Sequence, residues 1–196
     1  MSDIYSVNRA ITNQQGFEYL SQKRTYYLLL ITYYLIKMNS AEIDLYRRIC
    51  EFALDEPGAS FQFSHKLARE YQWTRLYTLK TIQEYKKFMF LGMIADHIVS
   101  PSVPIDLVWH LHLIYTHSYW NKFCGEILGK SFHHSPSLGG KEEKLKYDRF
   151  YQQTLVAYQL YFGTPPSDIW LDSSAQKPRQ RCQTNPNMIY YWLGEI

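Results

Sequence analysis

The chain has 196 residues, of which 46% are hydrophobic and 20% charged, with a net charge of +3. That balance excludes a disordered polyelectrolyte and provides enough apolar surface for a core without cross-links. It also argues against a nucleic-acid binder, because no long basic block appears and the only local concentration near the C-terminus is Lys177-Pro178-Arg179-Gln180-Arg181.

Residues 1–14 are polar and aperiodic and are expected to form a flexible arm. Residues 15–172 are expected to form one helical domain. Its first helix, ending near Met38, carries the most apolar run of the chain, Tyr26 to Ile36. At eleven residues that run is shorter than the roughly 20 that cross a bilayer, so no membrane span is expected. Its aromatic, apolar surface is instead expected to be buried or to meet a partner.

Ser40 is the expected N-cap of the second helix, with Glu42 and Asp44 in its first turn and Glu56-Pro57-Gly58 as its end. Ser60 to Tyr71 reads as a short helix. Thr74 caps a longer one whose Leu79, Ile82, Tyr85, Met89 and Met93 recur at three- and four-residue steps, as one helical face requires. Ser100-Pro101-Ser102-Val103-Pro104 breaks the chain. Pro104 suits the first turn of the next helix, where its missing N–H is not needed. That central, histidine-rich helix is expected over about 104–128, with Gly129 as its stop.

A loop follows to Gly140. Glu142 to Phe162 is the last predicted helix, with Tyr147, Tyr151, Leu155, Tyr158 and Phe162 near one face and Gly163 as its stop. Residues 173–196 read as a tail whose Tyr190-Tyr191-Trp192 patch would dock on the body or on a partner, self-association included. No strand run and no internal repeat is evident, so the fold class is all-α, a single compact multi-helix domain.

Three widely spaced cysteines, Cys50, Cys124 and Cys182, with no CxxC pair, suit a reducing compartment. Together with the lack of a signal-like N-terminus, this predicts a cytoplasmic protein. The 18 tyrosines call for a core with polar seams or a wide binding face.

The chemistry concentrates in the histidines. Six of the seven (His97, His110, His112, His117, His133 and His134) lie within 38 positions, and histidine is both a common metal ligand and a proton shuttle. At about 100° per residue, Asp106, His110 and His117 share a narrow arc, whereas His112 points away on a stripe with Val108, Tyr115 and Tyr119. Two histidines two apart on one helix cannot ligate the same ion, so two environments are expected.

Asp106, four residues before His110, can either share a metal with it or accept its N–H and fix its tautomer. A further ligand would come from His133 or His134, with Asp96 or His97 as outside candidates. Three N/O ligands with open positions would suit Zn²⁺ or Fe²⁺. Cys124, on the same helix, reads as a small buried residue more readily than as a ligand or nucleophile. No nucleophile elbow, phosphate loop or paired-carboxylate signature is present.

The run Val103-Pro104-Ile105-Asp106-Leu107-Val108-Trp109-His110-Leu111-His112, then Tyr119, Leu128-Gly129 and His133-His134, resembles the glycine-rich domain-containing protein-like family. The family hallmark is V-D-x-x-W-H-x-H, a tyrosine seven residues on, then Leu-Gly and a histidine. Asp106, Trp109, His110, His112 and Tyr119 match it position by position, and Ile105 stands in place of the valine. The double histidine followed by Pro136 looks like the bacterial branch, and the spacing from Gly129 makes His134 the counterpart of the single plant histidine.

The resemblance covers about residues 85–170, including Tyr161-Phe162-Gly163 and the closing Pro165-Pro166-Ser167-Asp168-Ile169-Trp170. It implies a mostly helical domain and no particular activity. It leaves out His117 and Cys124. The resulting site is Asp106, His110 and His134 as metal ligands, supported by His112, Tyr119, His133 and Trp109. Metal-assisted hydrolysis or iron-dependent oxidation would fit. The alternative is a non-catalytic interaction module in which the Asp/His/Trp/Tyr cluster is a structural hydrogen-bond network.

Overall fold

The computed structural model describes residues 38–135 and 139–170. Among them are six helical segments and no strand: α1 (Ser40–Glu51), α2 (Phe63–Tyr71), α3 (Arg75–Ile94), α4 (Val103–Ile114), a π-helical segment π1 (His117–Leu128) and α5 (Lys141–Phe162). The described residues are all-α, as the periodicity predicts. The expected N-terminal arm, the aromatic first helix and the Tyr190-Tyr191-Trp192 patch lie outside the described residues. No helix among the described residues is long and apolar enough to cross a membrane.

Helix α3 is the axis of the bundle, with α1, α2, α4 and α5 packed around it and π1 bridging α1 and α4. Thr74 caps it as expected, its hydroxyl accepting the Tyr77 N–H at 3.2 Å. The predicted single apolar face holds at Ile82, Tyr85 and Met89, but Leu79 is 40% exposed. In its second half the burial extends to every side, because Phe88, Met89, Phe90 and Leu91 are all fully covered. Four consecutive buried residues span the whole circumference of a helix, which requires neighbours all round.

The cap of α1 is Asn39 rather than Ser40. The Asn39 Oδ1 accepts from Glu42 N at 3.0 Å and the Asn39 N–H donates to Glu42 Oε2 at 2.9 Å, a reciprocal capping box. The helix ends at Glu51, short of the Glu56-Pro57-Gly58 turn, because its last carbonyls are taken by another helix: the buried Lys86 ammonium donates to Cys50 O and Phe52 O at 2.7 Å each. Helix α2 starts only at Phe63 and ends on Gln72 in the left-handed region.

A buried polar tie in the bundle is the carboxylate of Glu84, on α3. It accepts from Lys87 Nζ at 2.8 Å, the Tyr158 hydroxyl at 2.7 Å and the Trp170 indole N–H at 2.9 Å. The side chain is only 5% exposed, so each of its lone pairs must be satisfied within the protein. Burial, and then the neighbouring carboxylate, hold the Tyr158 phenol well above its ordinary pKa, so it remains a donor. This knot fastens α5 and the closing Ile169-Trp170 turn to α3. Glu84→Ala is therefore expected to cost about 3 kcal/mol, because it strands buried donors. Lys80→Ala, which breaks a half-exposed ion pair with Asp168, should cost below about 1 kcal/mol. Urea midpoints of the two variants check this, and equal losses would contradict it.

Candidate metal centre

Helix α4 opens with Pro104 in its first turn, and Asp106 follows where an acidic side chain complements the positive helix end. One face of α4 buries Ile105, Val108, Trp109, Leu111 and His112 against the bundle. Asp106 and His110, four residues apart, lie on the opposite, half-exposed face.

The predicted continuous helix over 104–128 is divided. After Ile114 the chain turns at Tyr115, whose N–H bonds to His112 O, and continues as π1 from His117. Side-chain contacts account for the break. In one continuous helix Trp109 and Tyr119 would stand about 15 Å apart along the axis, yet the Trp109 indole N–H donates to the Tyr119 hydroxyl at 2.8 Å. Likewise His112 and Ser118, six positions apart, would face different sides, yet His112 Nε2 and Ser118 Oγ are 3.3 Å apart. The break also voids the shared arc that grouped His117 with Asp106 and His110. His117 heads a separate segment and is exposed.

Gly129, in the left-handed region, ends π1 as expected, and the chain returns alongside α4. Three contacts hold it there. The Tyr119 hydroxyl, having accepted from Trp109, donates to the Phe132 carbonyl. The Phe132 ring stacks on Trp109 at 5.1 Å and 18°. That ring also lies against Gly92 of α3, where an added Cβ would fall 2.4 Å from Phe132 Cζ. Phe132 thus fills the notch between Gly92 and Trp109, and the next turn of chain delivers His134.

His134 arrives edge-on to Trp109, with 4.6 Å between ring centroids. Its Nε2 is 2.8 Å from Asp106 Oδ1 and 3.0 Å from His110 Nε2, and His110 Nε2 is 3.7 Å from Asp106 Oδ2. The three residues are a candidate metal-ligand group, the only one among the described residues. A tetrahedral ion with bonds of 2.0–2.1 Å sets its ligands about 3.3 Å apart, and an octahedral one about 3.0 Å apart. The two His134 separations, 2.8 and 3.0 Å, lie near the octahedral value, and the 3.7 Å separation, taken to the other carboxylate oxygen, lies above both. The hydrogen-bond pattern agrees, because one Nε2–H on His134 cannot point squarely at both neighbours, whereas a cation between them satisfies all three.

The remaining predicted residues divide clearly. Trp109 and Tyr119 support the site through the contacts above, and burial keeps the Tyr119 phenol protonated. His112 is fully buried. Its Nδ1 is 2.9 Å from the Tyr85 hydroxyl, and Phe52, Phe63, Tyr119 and Phe123 surround its ring. It belongs to the core on the far side of α4, so two histidine environments exist as the spacing predicts.

His133 lies against Trp120 at 5.3 Å, exposed, and lines the cleft that Asp106 and His134 also border. His97 pairs locally, its Nδ1 lying 3.1 Å from Ile98 O. Cys124 is buried, and burial pushes its thiol up, as suits a core residue. Phe132 and Gly92 carry no local signal, and Tyr85, expected only as part of an apolar face, also bonds to His112; each acts through a partner far away in sequence.

No known family profile matches the chain. It is similar to glycine-rich domain-containing protein 1 of Arabidopsis thaliana, with 22% identity over 107 residues. The match covers 52% of this chain and 13% of that protein. This supports a distant relationship at most. No solved structure matches.

The burial of His112 sets a pH dependence. Desolvation lowers its folded pKa to about 3, against about 6.5 in the unfolded chain. Between these values the unfolded chain takes up a proton that the folded protein excludes. Stability is then fully present above about 6.5 and falls as pH drops toward 3, by up to about 1.4 kcal/mol per pH unit. The urea midpoint should decline between about pH 7 and 5.5, and less steeply in His112→Phe. Parallel slopes in the two proteins would refute the assignment.

Proposed function

We propose that the protein binds a divalent metal ion through Asp106, His110 and His134, and that this centre is its functional site. The observation that carries the reading is the convergence of two imidazole nitrogens and one carboxylate from two separate segments, 2.8, 3.0 and 3.7 Å from one another. Two histidines and one carboxylate are a donor set suited to Zn²⁺, and equally to Fe²⁺ with positions open to other ligands. A bound ion would supply Lewis acidity and make water a nucleophile near neutral pH, or in the case of iron would support oxidation.

The protein's own part is to hold the donors. Asp106 and His110 are fixed by one turn of α4. His134 is fixed from beneath by Trp109, Phe132 and the Tyr119 hydroxyl. The network reading describes a different part of the cluster, because His112, Trp109 and Tyr119 do form buried contacts that fix packing. It does not account for the convergence of three partly exposed donors beside the other face of α4.

Elemental analysis of untagged protein tests the centre. One zinc or iron per chain is expected. His110→Ala, His134→Ala and Asp106→Ala should each abolish it, whereas His133→Ala and His117→Ala should keep it. Protein free of metal after both aerobic and anaerobic purification would refute the proposal. The notch offers a second test that leaves every ligand in place. Gly92→Ala should push Phe132 outward and displace His134, lowering zinc affinity by about 10- to 100-fold, as the loss of a supporting contact does. Unchanged affinity in a competitive chelator titration would show that Phe132 does not position the loop.

A further inference from the structure

A cleft of about 450 Å³ opens beside the triad, between the segment leading into α4 and the first half of α5. Asp106 and His134 form part of its lining, as does Trp109. One wall carries Val99 and Val103, and the other carries Tyr147 and Phe150. The volume falls within the range of small-molecule sites, roughly 300–1,000 Å³. Val103 is 54% exposed, an aliphatic side chain left facing open space at a concave site.

Lys146 is the cleft's single lysine or arginine among the described residues. Its ammonium lies over the Tyr147 and Phe150 rings, 5.7 and 5.9 Å from their centroids. These contacts tie the charge to the aromatic wall. Its ion pair with Glu143 is 3.6 Å long, beyond hydrogen-bond range, so the pair does not lock the ammonium in place.

Charge completes the description. With a divalent ion on Asp106 and two neutral imidazoles, the centre keeps one positive charge, and Lys146 and Glu143 cancel. A ligand with one negative charge would neutralise the site. A phosphate dianion normally meets several Arg, Lys or backbone N–H donors, and one lysine is a poor match for it.

We propose that the cleft binds a small monocarboxylate with an aryl or branched-alkyl body. This inference rests on the metal reading above. The carboxylate would lie between the ion and the Lys146 ammonium, with its body between the Val99/Val103 and Tyr147/Phe150 walls. Lys146 and Phe150 then determine specificity, for charge and for shape respectively.

The test is calorimetric titration of the zinc-loaded full chain with 3-phenylpropionate, 3-phenylpropan-1-ol and phenyl phosphate. The carboxylate should bind at least about tenfold more tightly than either other probe, and tenfold more tightly than it binds metal-free protein. Lys146→Ala and Phe150→Ala should each weaken it by about tenfold while zinc content stays at one per chain. Adding 3-phenylpropionate to cobalt-substituted protein should shift the visible cobalt bands, which places the carboxylate at the ion.

Zinc-loaded protein that binds carboxylate and alcohol equally, or phosphate as well as carboxylate, would overturn the proposal and leave the metal centre standing. So would wild-type binding by both variants. Failure to hold zinc at all would overturn the metal reading and this one with it.

Discussion

The hydrogen-bonded chain from the Trp109 indole through the Tyr119 hydroxyl to the Phe132 carbonyl is the constraint on which the site depends. Trp109 belongs to α4, Tyr119 to π1, and Phe132 to the segment that carries His134. One phenol therefore sets the relative positions of three successive pieces of chain. It also explains the helix break, because the indole and phenol can meet only if the chain folds back between them. The connection is buried, and its groups would be costly to leave unpaired, so the break is enforced rather than merely permitted.

Helix α4 then works as a partition. Its inner face supplies Trp109 and His112 to an aromatic core that includes Tyr85 and Phe123, and its outer face supplies Asp106 and His110. His110 and His112 are chemically alike and two residues apart, yet they do opposite jobs. Burial holds His112 neutral among aromatic rings and hydroxyls. His110 stays half-exposed, with His134 and Asp106 within ligand-sharing distance. The spacing in W-H-x-H is what allows this, because it turns the two imidazoles to different faces of the same turn.

Much of the fold is legible from local signals. The Thr74 cap, Pro104 in a first turn and the glycine stops at Gly129 and Gly163 all depend on residues within a few positions of each other. The capping box of Asn39 was equally local, and its signal was the three-residue spacing to Glu42 rather than the serine beside it. The pairing of Asp106 with His110 follows from helical repeat alone. What escapes a reading by periodicity is decided across the bundle. Glu84 looks like an ordinary surface residue of a helix until Tyr158 and Trp170, more than 70 positions away, close over it. The break after Ile114 has no proline or glycine to announce it. Uniform helical phasing therefore carried His117 into an arc that it never occupies. Gly92 reads as a weak point in α3, and only the Phe132 ring shows what the missing Cβ makes room for.

The placement of the three donors also bears on what a metal would do here. The polar knot at Glu84, the Lys86 contacts to the end of α1 and the aromatic core around Tyr85 and Phe123 all lie away from the triad. The loop bearing His134 is held by the Trp109 stack on Phe132 and by the Tyr119 hydroxyl on the Phe132 carbonyl. A structural metal usually organises a segment that lacks its own contacts, and folding then depends on the metal. Here the contacts exist already, and the donors stand partly open to solvent beside a cleft. Such a loop does not depend on coordination for its placement. A metal bound by the proposed triad would join a loop that its own contacts already hold, which suits the proposal of a working centre better than that of a structural one.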